Sequence, residues 1–293
     1  MGTVAKYARL VKFSHTVFAM PFALIGYVYA LRSTGAPFEW RLLVAMVAAM
    51  VFARNAAMGF NRWADRRFDA ENPRTAAREI PTGAVKPQAA LWFVAANALL
   101  FVASAAIISL LAGGERHYLT LILSPVALFV ILGYSYTKRF TSWSHMVLGM
   151  ALAIAPVGAY IAVADAVAYA PIILAALVMT WVAGFDIIYS LQDADHDRTH
   201  GLHSIPARFP GWKGLTISAA LHLVTVYAVA MFGLYTSRGT LYWVGAGIFV
   251  ALLVLQHCLV SPTRLRNVGV AFGTVNGLAS LVFAAFAIAD LLV

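Results

Sequence analysis

Nine apolar segments run through this chain of 293 residues and restrict the folds open to it. Each is close to the ~17–25 residues that an α-helix needs to cross a bilayer. Only 11% of the residues are charged, whereas a soluble domain carries about 25%. We therefore predict an all-α integral membrane protein, with nine transmembrane helices around a central cavity and one domain over residues 1–293. The predicted spans are residues 14–31, 42–60, 88–112, 118–135, 144–164, 168–190, 214–234, 240–260 and 270–293.

The Lys and Arg residues predict how these helices are oriented, because positive charge concentrates in cytoplasmic loops. With the N-terminus in the cytoplasm, the opposite loops hold only four of the 21 basic residues, and Arg54 falls inside the second span. The remaining sixteen precede the first span or lie in the loops at 61–87, 136–143, 191–213 and 261–269. This bias accounts for most of the net charge of +9, so we do not expect nucleic-acid binding.

Most carboxylates gather in two acidic clusters, residues 61–69 and 186–197, and each follows an apolar span. Eight of the twelve Asp and Glu residues lie in or just after them, namely Asp65, Asp69, Glu71, Glu79, Asp186, Asp193, Asp195 and Asp197. Both stretches end a span on the predicted cytoplasmic side. The matched positions indicate a weak internal repeat, with the two clusters facing each other across the bundle.

The spacing within the clusters predicts a metal-binding role. On a continuing helix, the motif Asn61-x-x-x-Asp65-x-x-x-Asp69 lies along one face. The second cluster spaces its acids by seven and four residues, which again keeps one face, with Tyr189 nearby. Mg²⁺ usually takes one or two carboxylates plus substrate phosphates, so the two faces fit a diphosphate bridged by Mg²⁺. Alternatively, the acids only form ion pairs at the headgroups, with Arg62, Arg66, Arg67 and Arg198.

Basic and aromatic residues near the clusters are candidates for phosphate contacts. Lys138 can supply a point positive charge one helical turn after Tyr134, with Arg139 beside it. The alternative for these residues is an interfacial aromatic followed by a topogenic basic pair. Arg74 and Arg78 follow the first cluster, and they either hold further phosphate charge or cap the loop.

Two further groups of polar residues need an explanation. Arg54 lies within a span, where an ionisable residue is costly and functional by default. We expect it to bind the diphosphate or an acceptor carboxylate, or else to form an internal salt bridge with a cluster aspartate. A zinc site is an alternative use of Asp193 together with His196, His200 and His203, since His at i and i+4 can bind zinc. Helix-breaking residues after His200 make that alternative weaker.

The motifs together resemble those of the UbiA intramembrane prenyltransferases, and the resemblance covers the whole chain. The first signature corresponds to Asn61-x-x-x-Asp65-x-x-x-Asp69 with Asn72-Pro73-Arg74-Thr75 and Arg78-x-x-Pro81-x-Gly83. The second corresponds to Asp186-x-x-Tyr189-x-x-x-Asp193-x-x-x-Asp197 followed by Gly201-Leu202-His203-Ser204-Ile205. The pair Tyr134-x-x-x-Lys138 resembles the family's cytoplasmic cap motif.

The resemblance implies a Mg²⁺-dependent transferase that moves a polyprenyl chain from polyprenyl diphosphate to an aromatic acid. It implies that Lys138 and Tyr134 contact the diphosphate and that Asp193 lies nearer the acceptor, which it orients or deprotonates. It also implies a multi-pass protein of a bacterial inner membrane, with its active site facing the cytoplasm. Mg²⁺ and the diphosphate would be held by Asn61, Asp65, Asp69, Asp186 and Asp197.

One departure from the family pattern leaves the acceptor open. Many 4-hydroxybenzoate enzymes begin the first motif with Asn-Asp, whereas this chain has Arg62 as the second residue. The segment from Phe13 to Leu24 resembles a subgroup of 4-hydroxybenzoate polyprenyltransferase-like proteins, some members of which prenylate a naphthoate on the futalosine route to menaquinone. We expect 4-hydroxybenzoate as the acceptor, with the naphthoate as the alternative, ahead of haem farnesyltransferase and chlorophyll-type chemistry. An ion transporter is the rival from another class, but its binding groups would lie near the bilayer midplane.

Overall fold

A computed structural model describes residues 3–11, 18–112 and 117–293. The described chain is helical, and its only strand-like feature is an isolated bridge between Ser261 and Arg264. The helices are α1 (Thr3–Leu10), α2 (Met20–Thr34), α3 (Trp40–Ala64), α4 (Arg66–Glu71), α5 (Pro87–Leu111), α6 (Leu119–Thr137), α7 (Ser144–Ala164), α8 (Tyr169–Ser190), α9 (Ala194–Thr199), α10 (Ile205–Arg208), α11 (Trp212–Tyr235), α12 (Thr240–Leu259) and α13 (Asn276–Leu292).

Eight helical segments of the described chain are long and apolar enough to cross a membrane. They match eight of the predicted spans to within a few residues, which confirms the all-α membrane fold class. The predicted first span differs, because α2 has 15 residues and extends only about 22 Å at 1.5 Å per residue. That length is short of the ~30 Å hydrocarbon core. Residues 14–17 of that predicted span lie outside the described residues.

The chain divides into two compact units. The first unit comprises Met1–Thr16 and Trp40–Thr137, and the second comprises Val17–Glu39 and Lys138–Val293. In the first unit α3, α5 and α6 pack on one another, and in the second α8 packs against both α7 and α11. The single domain and the facing clusters both concern the relation between these units, so both stay predictions.

Two glycines allow close helix contacts in the second unit. A Cβ atom at Gly26 of α2 would overlap the carbonyl oxygen of Pro156 in α7, and one at Gly149 of α7 would overlap the carbonyl oxygen of Met179 in α8. Lipid supplies no hydrophobic drive between apolar helices, so small residues that permit backbone contact favour their association. These contacts fix α7 against both of its neighbours.

A π-helical turn, Val270–Val275, precedes α13. The side-chain amide of Asn276 donates to the carbonyl oxygens of Ala271 at 2.9 Å and Phe272 at 3.2 Å, and its oxygen accepts from Trp181 Nε1 at 3.0 Å. Such turns are rare and often occur at functional sites. Here the turn presents Phe272 to Tyr189 of the second cluster, with ring centroids 4.2 Å apart.

Candidate active site

The first acidic cluster lies where α3 ends. α3 stops at Ala64 and α4 starts at Arg66, with Asp65 in the turn between them. Helical hydrogen bonds nevertheless cross this turn, from Asp65 N–H to the Asn61 carbonyl at 2.9 Å and from Asp69 N–H to the Asp65 carbonyl at 2.8 Å. The side chains of Asn61 and Asp65 also meet, since Asn61 Nδ2 donates to Asp65 Oδ2 at 3.0 Å. The i, i+4 register assumed for this motif therefore persists, although the helix itself is interrupted.

Asp69 has the chemistry of a metal ligand. Its side chain is buried, and Oδ1 accepts a hydrogen bond from Arg78 Nη1 at 2.6 Å. Oδ2 is also buried but has no hydrogen-bond donor among the described residues. A buried acceptor without a donor costs free energy, and a bound cation would remove that cost. Asp69 therefore suits Mg²⁺, which prefers carboxylate oxygen.

The loop after the first cluster folds back onto the helix end. The N–H of Arg74 donates to Asn72 Oδ1 at 2.9 Å, and the buried hydroxyl of Thr75 donates to the Asp69 carbonyl at 3.0 Å. These bonds shape the loop so that Arg78 reaches the Asp69 carboxylate. The side chain of Arg74 is exposed at the same loop. Arg78, one of the two predicted phosphate-binding arginines, thus pairs with the cluster through Asp69.

Cationic side chains surround the carboxylates of the first unit. Arg54 and Tyr134 are partly buried in α3 and α6 and interact electrostatically with each other. Tyr134 also interacts with Asp65 and Arg62. Arg62 is 5% exposed and interacts with Asp69. Several positive charges buried close to two carboxylates make a region that can hold an anion as well as a metal.

Simple ion pairing at the headgroups describes only part of the charged residues. It fits Asp195, which pairs with Arg198 at 3.1 Å while both side chains are exposed. Arg66 instead donates to the carbonyl of Trp63 at 2.7 Å and lies over its ring. Buried Asp69 and Asp197 pair with Arg78 and Lys138 instead, so the pairing alternative does not account for these two aspartates.

The second acidic cluster does not lie on one continuous helix, contrary to the expectation from spacing. α8 ends at Ser190, a 3₁₀ turn covers Leu191–Asp193, and α9 begins at Ala194. A 3₁₀ turn has 3.0 residues per turn instead of 3.6, so it rotates the following side chains away from a regular α-helical face. The three carboxylates consequently occupy different surroundings.

Asp197 is held by Lys138. The Nζ atom of Lys138 lies 2.9 Å from each carboxylate oxygen of Asp197, and the Asp197 side chain is only 2% exposed. The carbonyl of Lys138 accepts a hydrogen bond from His203 N–H at 2.7 Å. The structure therefore joins two predicted site residues that lie 59 positions apart. Asp193 is also buried, at 7% exposure.

Asp186 is held by a histidine that the motif analysis missed. His145 Nδ1 lies 2.7 Å from Asp186 Oδ2, and His145 Nε2 accepts a hydrogen bond from Ile205 N–H at 3.2 Å. His145 is 2% exposed. A signal for it was present in the sequence, because His145 is the second residue of the predicted span 144–164, next to the predicted cytoplasmic segment 136–143. A polar residue on the predicted side of the acids deserved consideration as their partner.

The remaining predicted residues of the second unit are two substrate-binding candidates, Tyr189 and Arg139, and the histidines of the zinc alternative. Tyr189 packs on Phe272, whereas Arg139 is exposed just after α6.

His196 and His200 stack ring on ring at 3.8 Å. In the part of the chain that the structure describes, no group of three or more His, Cys, Asp and Glu side chains is arranged to hold a metal ion. The zinc alternative therefore gains no support, while Mg²⁺ needs only one or two carboxylates when phosphates complete its shell.

Comparisons with known proteins agree with the motifs and the fold. The UbiA prenyltransferase family matches residues 19–278. The 4-hydroxybenzoate octaprenyltransferase of Aeromonas hydrophila is 31% identical over 254 residues, which cover 87% of this chain and 85% of that protein.

Solved structures give the same result. The apo structure of a UbiA homolog from Aeropyrum pernix has a TM-score of 0.82 and 32% identity, and the match covers 94% of this chain and 98% of that one. A UbiA homolog from Archaeoglobus fulgidus bound to GPP and Mg²⁺ has a TM-score of 0.72 over 98% of this chain and 100% of that one, at 20% identity. The second match bears on the fold alone. This chain, a multi-pass membrane protein and a transferase of prenyl groups, therefore belongs to the UbiA prenyltransferase family.

Proposed function

We propose that this enzyme transfers a polyprenyl chain from polyprenyl diphosphate to 4-hydroxybenzoate, in a Mg²⁺-dependent step of ubiquinone-type quinone biosynthesis. The observation that carries the proposal is the pairing of buried carboxylates with cations in both signature motifs, Asp69 with Arg78 and Asp197 with Lys138. Carboxylates suit Mg²⁺ and the cations suit phosphate oxygens. The acceptor follows from the relative in Aeromonas hydrophila, which is named a 4-hydroxybenzoate octaprenyltransferase.

Mg²⁺ fits the carboxylate oxygens of the two motifs. A related protein from Archaeoglobus fulgidus was solved with GPP and Mg²⁺, which supports the same metal here. When bound, Mg²⁺ supplies Lewis-acid stabilisation of the leaving diphosphate and a template for its position. In this proposal the residues that hold the metal are Asn61, Asp65, Asp69, Asp186 and Asp197.

The basic residues and Tyr134 bind the diphosphate in this proposal. Lys138 and Arg78 already lie against buried carboxylates, so each can turn its charge to phosphate oxygens when a metal takes its place. Tyr134 can donate a hydrogen bond from its hydroxyl. Charge-assisted hydrogen bonds of this kind strengthen as negative charge builds on the leaving group. The proposed diphosphate contacts are Arg54, Arg74, Arg78, Tyr134, Lys138 and Arg139.

The transfer step requires one bond to break and one to form. The bond between the first prenyl carbon and the diphosphate oxygen breaks, and its electron pair leaves with the diphosphate. The ring carbon ortho to the acceptor hydroxyl then bonds to the allylic cation, and that ring carbon loses its proton. Asp193 is buried and is the proposed group that orients the acceptor or takes the proton, and Tyr189, four residues earlier in the chain, is a further proposed substrate contact. Apolar helices exclude water, which would otherwise capture the cation.

A naphthoate acceptor is the second candidate, and Arg62 is the observation that favours it. Many 4-hydroxybenzoate enzymes have an acid at this position, whereas Arg62 is buried here and interacts with Asp69 and Tyr134. A buried cation in place of an acid changes the charge next to the first cluster. The acceptor preferred by this chain can therefore differ from that of its named relatives. Localisation in a bacterial inner membrane, with the clusters facing the cytoplasm, belongs to the same proposal.

The proposal is tested with membranes that contain the protein, Mg²⁺ and a long polyprenyl diphosphate. We expect a prenylated product with 4-hydroxybenzoate, identified by its mass, and no product when EDTA replaces Mg²⁺. Product from 1,4-dihydroxy-6-naphthoate alone would select the second candidate. Product from neither acceptor would contradict both assignments, and membranes with the empty vector serve as the control.

A further inference from the structure

Two hydrogen bonds near the second cluster converge on one short segment, residues 203–205. The N–H of Ile205 is bound to the ring of His145, and the N–H of His203 is bound to the carbonyl of Lys138. His145 and Lys138 in turn hold Asp186 and Asp197. The segment 203–205 is therefore tied to both residues that hold carboxylates of the second cluster.

We infer that His145 is a positioning residue, which fixes the Asp186 carboxylate for the metal-bound diphosphate and links it to the segment 203–205. The inference rests on the proposed function, since Asp186 is one of the proposed Mg²⁺ ligands. His145 itself touches neither metal nor substrate in this scheme. It acts through the direction it gives to Asp186.

The two partners of His145 determine which ring nitrogen carries its proton. Because Ile205 N–H donates to Nε2 at 3.2 Å, Nε2 presents a lone pair and cannot itself carry a hydrogen in that direction. A neutral imidazole then has its proton on Nδ1. Nδ1–H donates to Asp186 Oδ2 at 2.7 Å, a short hydrogen bond to an anionic oxygen. The neutral tautomer is thus fixed by its surroundings.

Burial makes this arrangement rigid. His145 is 2% exposed, while the Asp186 side chain is 21% exposed. A ring that is hydrogen-bonded at both nitrogens and enclosed cannot turn without breaking both bonds. Oδ2 of Asp186 is thereby held in place, while Oδ1 is not used by His145. Partners of ligating carboxylates hold them in the same way at known metal sites.

The segment itself is anchored independently of the carboxylates. Ser204 is fully buried, and its hydroxyl accepts the N–H of Ala207 at 3.3 Å as the N-cap of α10. Gly201, two residues before the segment, has a φ of +67°, which favours glycine. This anchoring gives a role to a part of the second signature, residues 201–205, that carries no acid.

Binding of Mn²⁺, a paramagnetic substitute for Mg²⁺, tests the inference on the purified full-length protein. The titration is followed by electron paramagnetic resonance in the presence of an unreactive prenyl thiodiphosphate. His145→Phe keeps an aromatic ring but removes both hydrogen bonds, and we expect the Mn²⁺ Kd to rise about 10–100-fold. His145→Asn keeps an amide donor for Asp186, so it should restore most of the affinity.

A matched control comes from a histidine pair of the second unit, buried His222 and half-buried His257. His257 Nε2 lies 2.8 Å from His222 Nδ1, and among the described residues it makes no hydrogen bond to a carboxylate of the cluster. His257→Phe should leave the Mn²⁺ Kd at the wild-type value. The thermal midpoint of each variant, measured in the same micelles, separates a general loss of stability from a specific loss of metal binding.

Ile205→Pro provides a second route if His145→Phe does not fold. Proline is tolerated at the first position of a helix, and this change removes the N–H that fixes the His145 ring while it also shortens the buried Ile205 side chain. We expect the Mn²⁺ Kd to rise about tenfold. Wild-type affinity in both His145→Phe and Ile205→Pro would overturn the inference, as would an Asn variant that binds as weakly as the Phe variant. Failure of the wild type to bind Mn²⁺ would instead contradict the proposed function on which the inference rests.

Discussion

The two acidic clusters of this enzyme are assembled in different ways. In the first, the partners are close in sequence: Asn61 and Asp65 are 4 positions apart, and Asp69 and Arg78 are 9 apart. In the second, Asp197 is held by Lys138 from 59 positions away and Asp186 by His145 from 41 positions away. The first cluster is therefore a local structure, whereas the second exists only when distant helices pack.

This difference has a consequence for how each cluster responds to change. A local cluster depends on its own helix end and loop, so a distant substitution should leave it intact. A cluster assembled by packing depends on every contact that sets the distance between α7, α8 and the segment after α9. Both clusters nevertheless serve the same proposed reaction, and the predictions below separate their shared role from their different construction.

The largest expected effect is the loss of catalysis when either cluster loses a key charge. Asp65→Asn should lower the transfer rate by at least about a thousandfold, since metal-based stabilisation is worth several kcal/mol. Asp193→Asn should lower it by about a hundredfold to ten-thousandfold, because it removes the group proposed to orient the acceptor or take its proton. Both proteins should still insert and fold. The rate is measured as product formed from polyprenyl diphosphate and the acceptor in membranes.

Matched controls for these variants lie in the same stretches of chain. Glu71→Gln follows the first cluster, and Asp195→Asn lies in the second, where Asp195 is exposed and pairs with Arg198. Both should retain near-normal rates. Near-normal turnover in Asp65→Asn or Asp193→Asn would show that the corresponding cluster has no part in the chemistry.

The next effect compares the two cations that neutralise buried carboxylates. The Asp197 side chain is 2% exposed and that of Asp69 is 9% exposed. Removal of one partner from a buried pair leaves an uncompensated charge, although solvent around Lys138, which is 32% exposed, reduces the cost. We expect Lys138→Gln to lower the thermal midpoint by about 3–6 °C and Arg78→Gln by less.

Scanning fluorimetry in detergent micelles measures both midpoints. Adding Asp197→Asn to Lys138→Gln should recover stability, because no unpaired charge then remains buried. Equal losses for Arg78→Gln and Lys138→Gln, without recovery in the double variant, would remove the proposed distinction between the pairs.

A smaller effect tests whether packing alone supports the second cluster. A Cβ atom at Gly149 would overlap the Met179 carbonyl, so Gly149→Ala should push α7 from α8 and disturb the His145–Asp186 contact. Overpacking of this kind costs about 1–3 kcal/mol. We expect Gly149→Ala to need a higher Mg²⁺ concentration than the wild type for its half-maximal transfer rate, and to have a lower thermal midpoint.

Gly158 of the same helix is the control, because a Cβ atom there meets nothing within 4 Å. Gly158→Ala should leave both the Mg²⁺ requirement and the rate unchanged. If Gly149→Ala and the wild type require the same Mg²⁺ concentration, the second cluster tolerates helix displacement. That result would contradict the assembly of this cluster by packing.

The smallest effect concerns the local construction of the first cluster. The buried hydroxyl of Thr75 donates to the Asp69 carbonyl at 3.0 Å, whereas Thr82 makes a similar bond to the Arg78 carbonyl at an exposed position. Thr75→Val should cost about 1 kcal/mol, since it leaves a buried acceptor unpaired. Thr82→Val should change the midpoint little, and equal shifts in the two variants would contradict the role given to this bond.

Sequence reasoning predicted the parts of this fold that depend on local composition. Apolar length gave eight spans to within a few residues, because a bilayer demands both a minimum helix length and internal hydrogen bonding. The predicted first span, residues 14–31, is the exception, because α2 begins only at Met20 and ends at Thr34. The i, i+4 register of Asn61, Asp65 and Asp69 was also accessible, since a single helix end determines it.

The contacts of the second cluster were not accessible in the same way. Nothing in the spacing of Asp186 and Asp197 indicates the 3₁₀ turn between them, because a short change in helical pitch follows from packing. The pairing of His145 with Asp186 needs the close contact of α7 and α8 through Gly149. Such pairs are set by tertiary structure, and a single sequence carries little trace of them.

The most direct test of the account is the Mg²⁺-dependent binding of a prenyl thiodiphosphate to the purified protein, compared among the wild type, Asp69→Asn and Asp197→Asn. Each variant removes one buried carboxylate, one from each cluster. If both clusters serve one metal-dependent reaction, the wild type binds the analogue only with Mg²⁺. Both variants then bind it much more weakly than the wild type when Mg²⁺ is present. Wild-type binding by either variant, or equal binding by the wild type with and without Mg²⁺, would contradict the account.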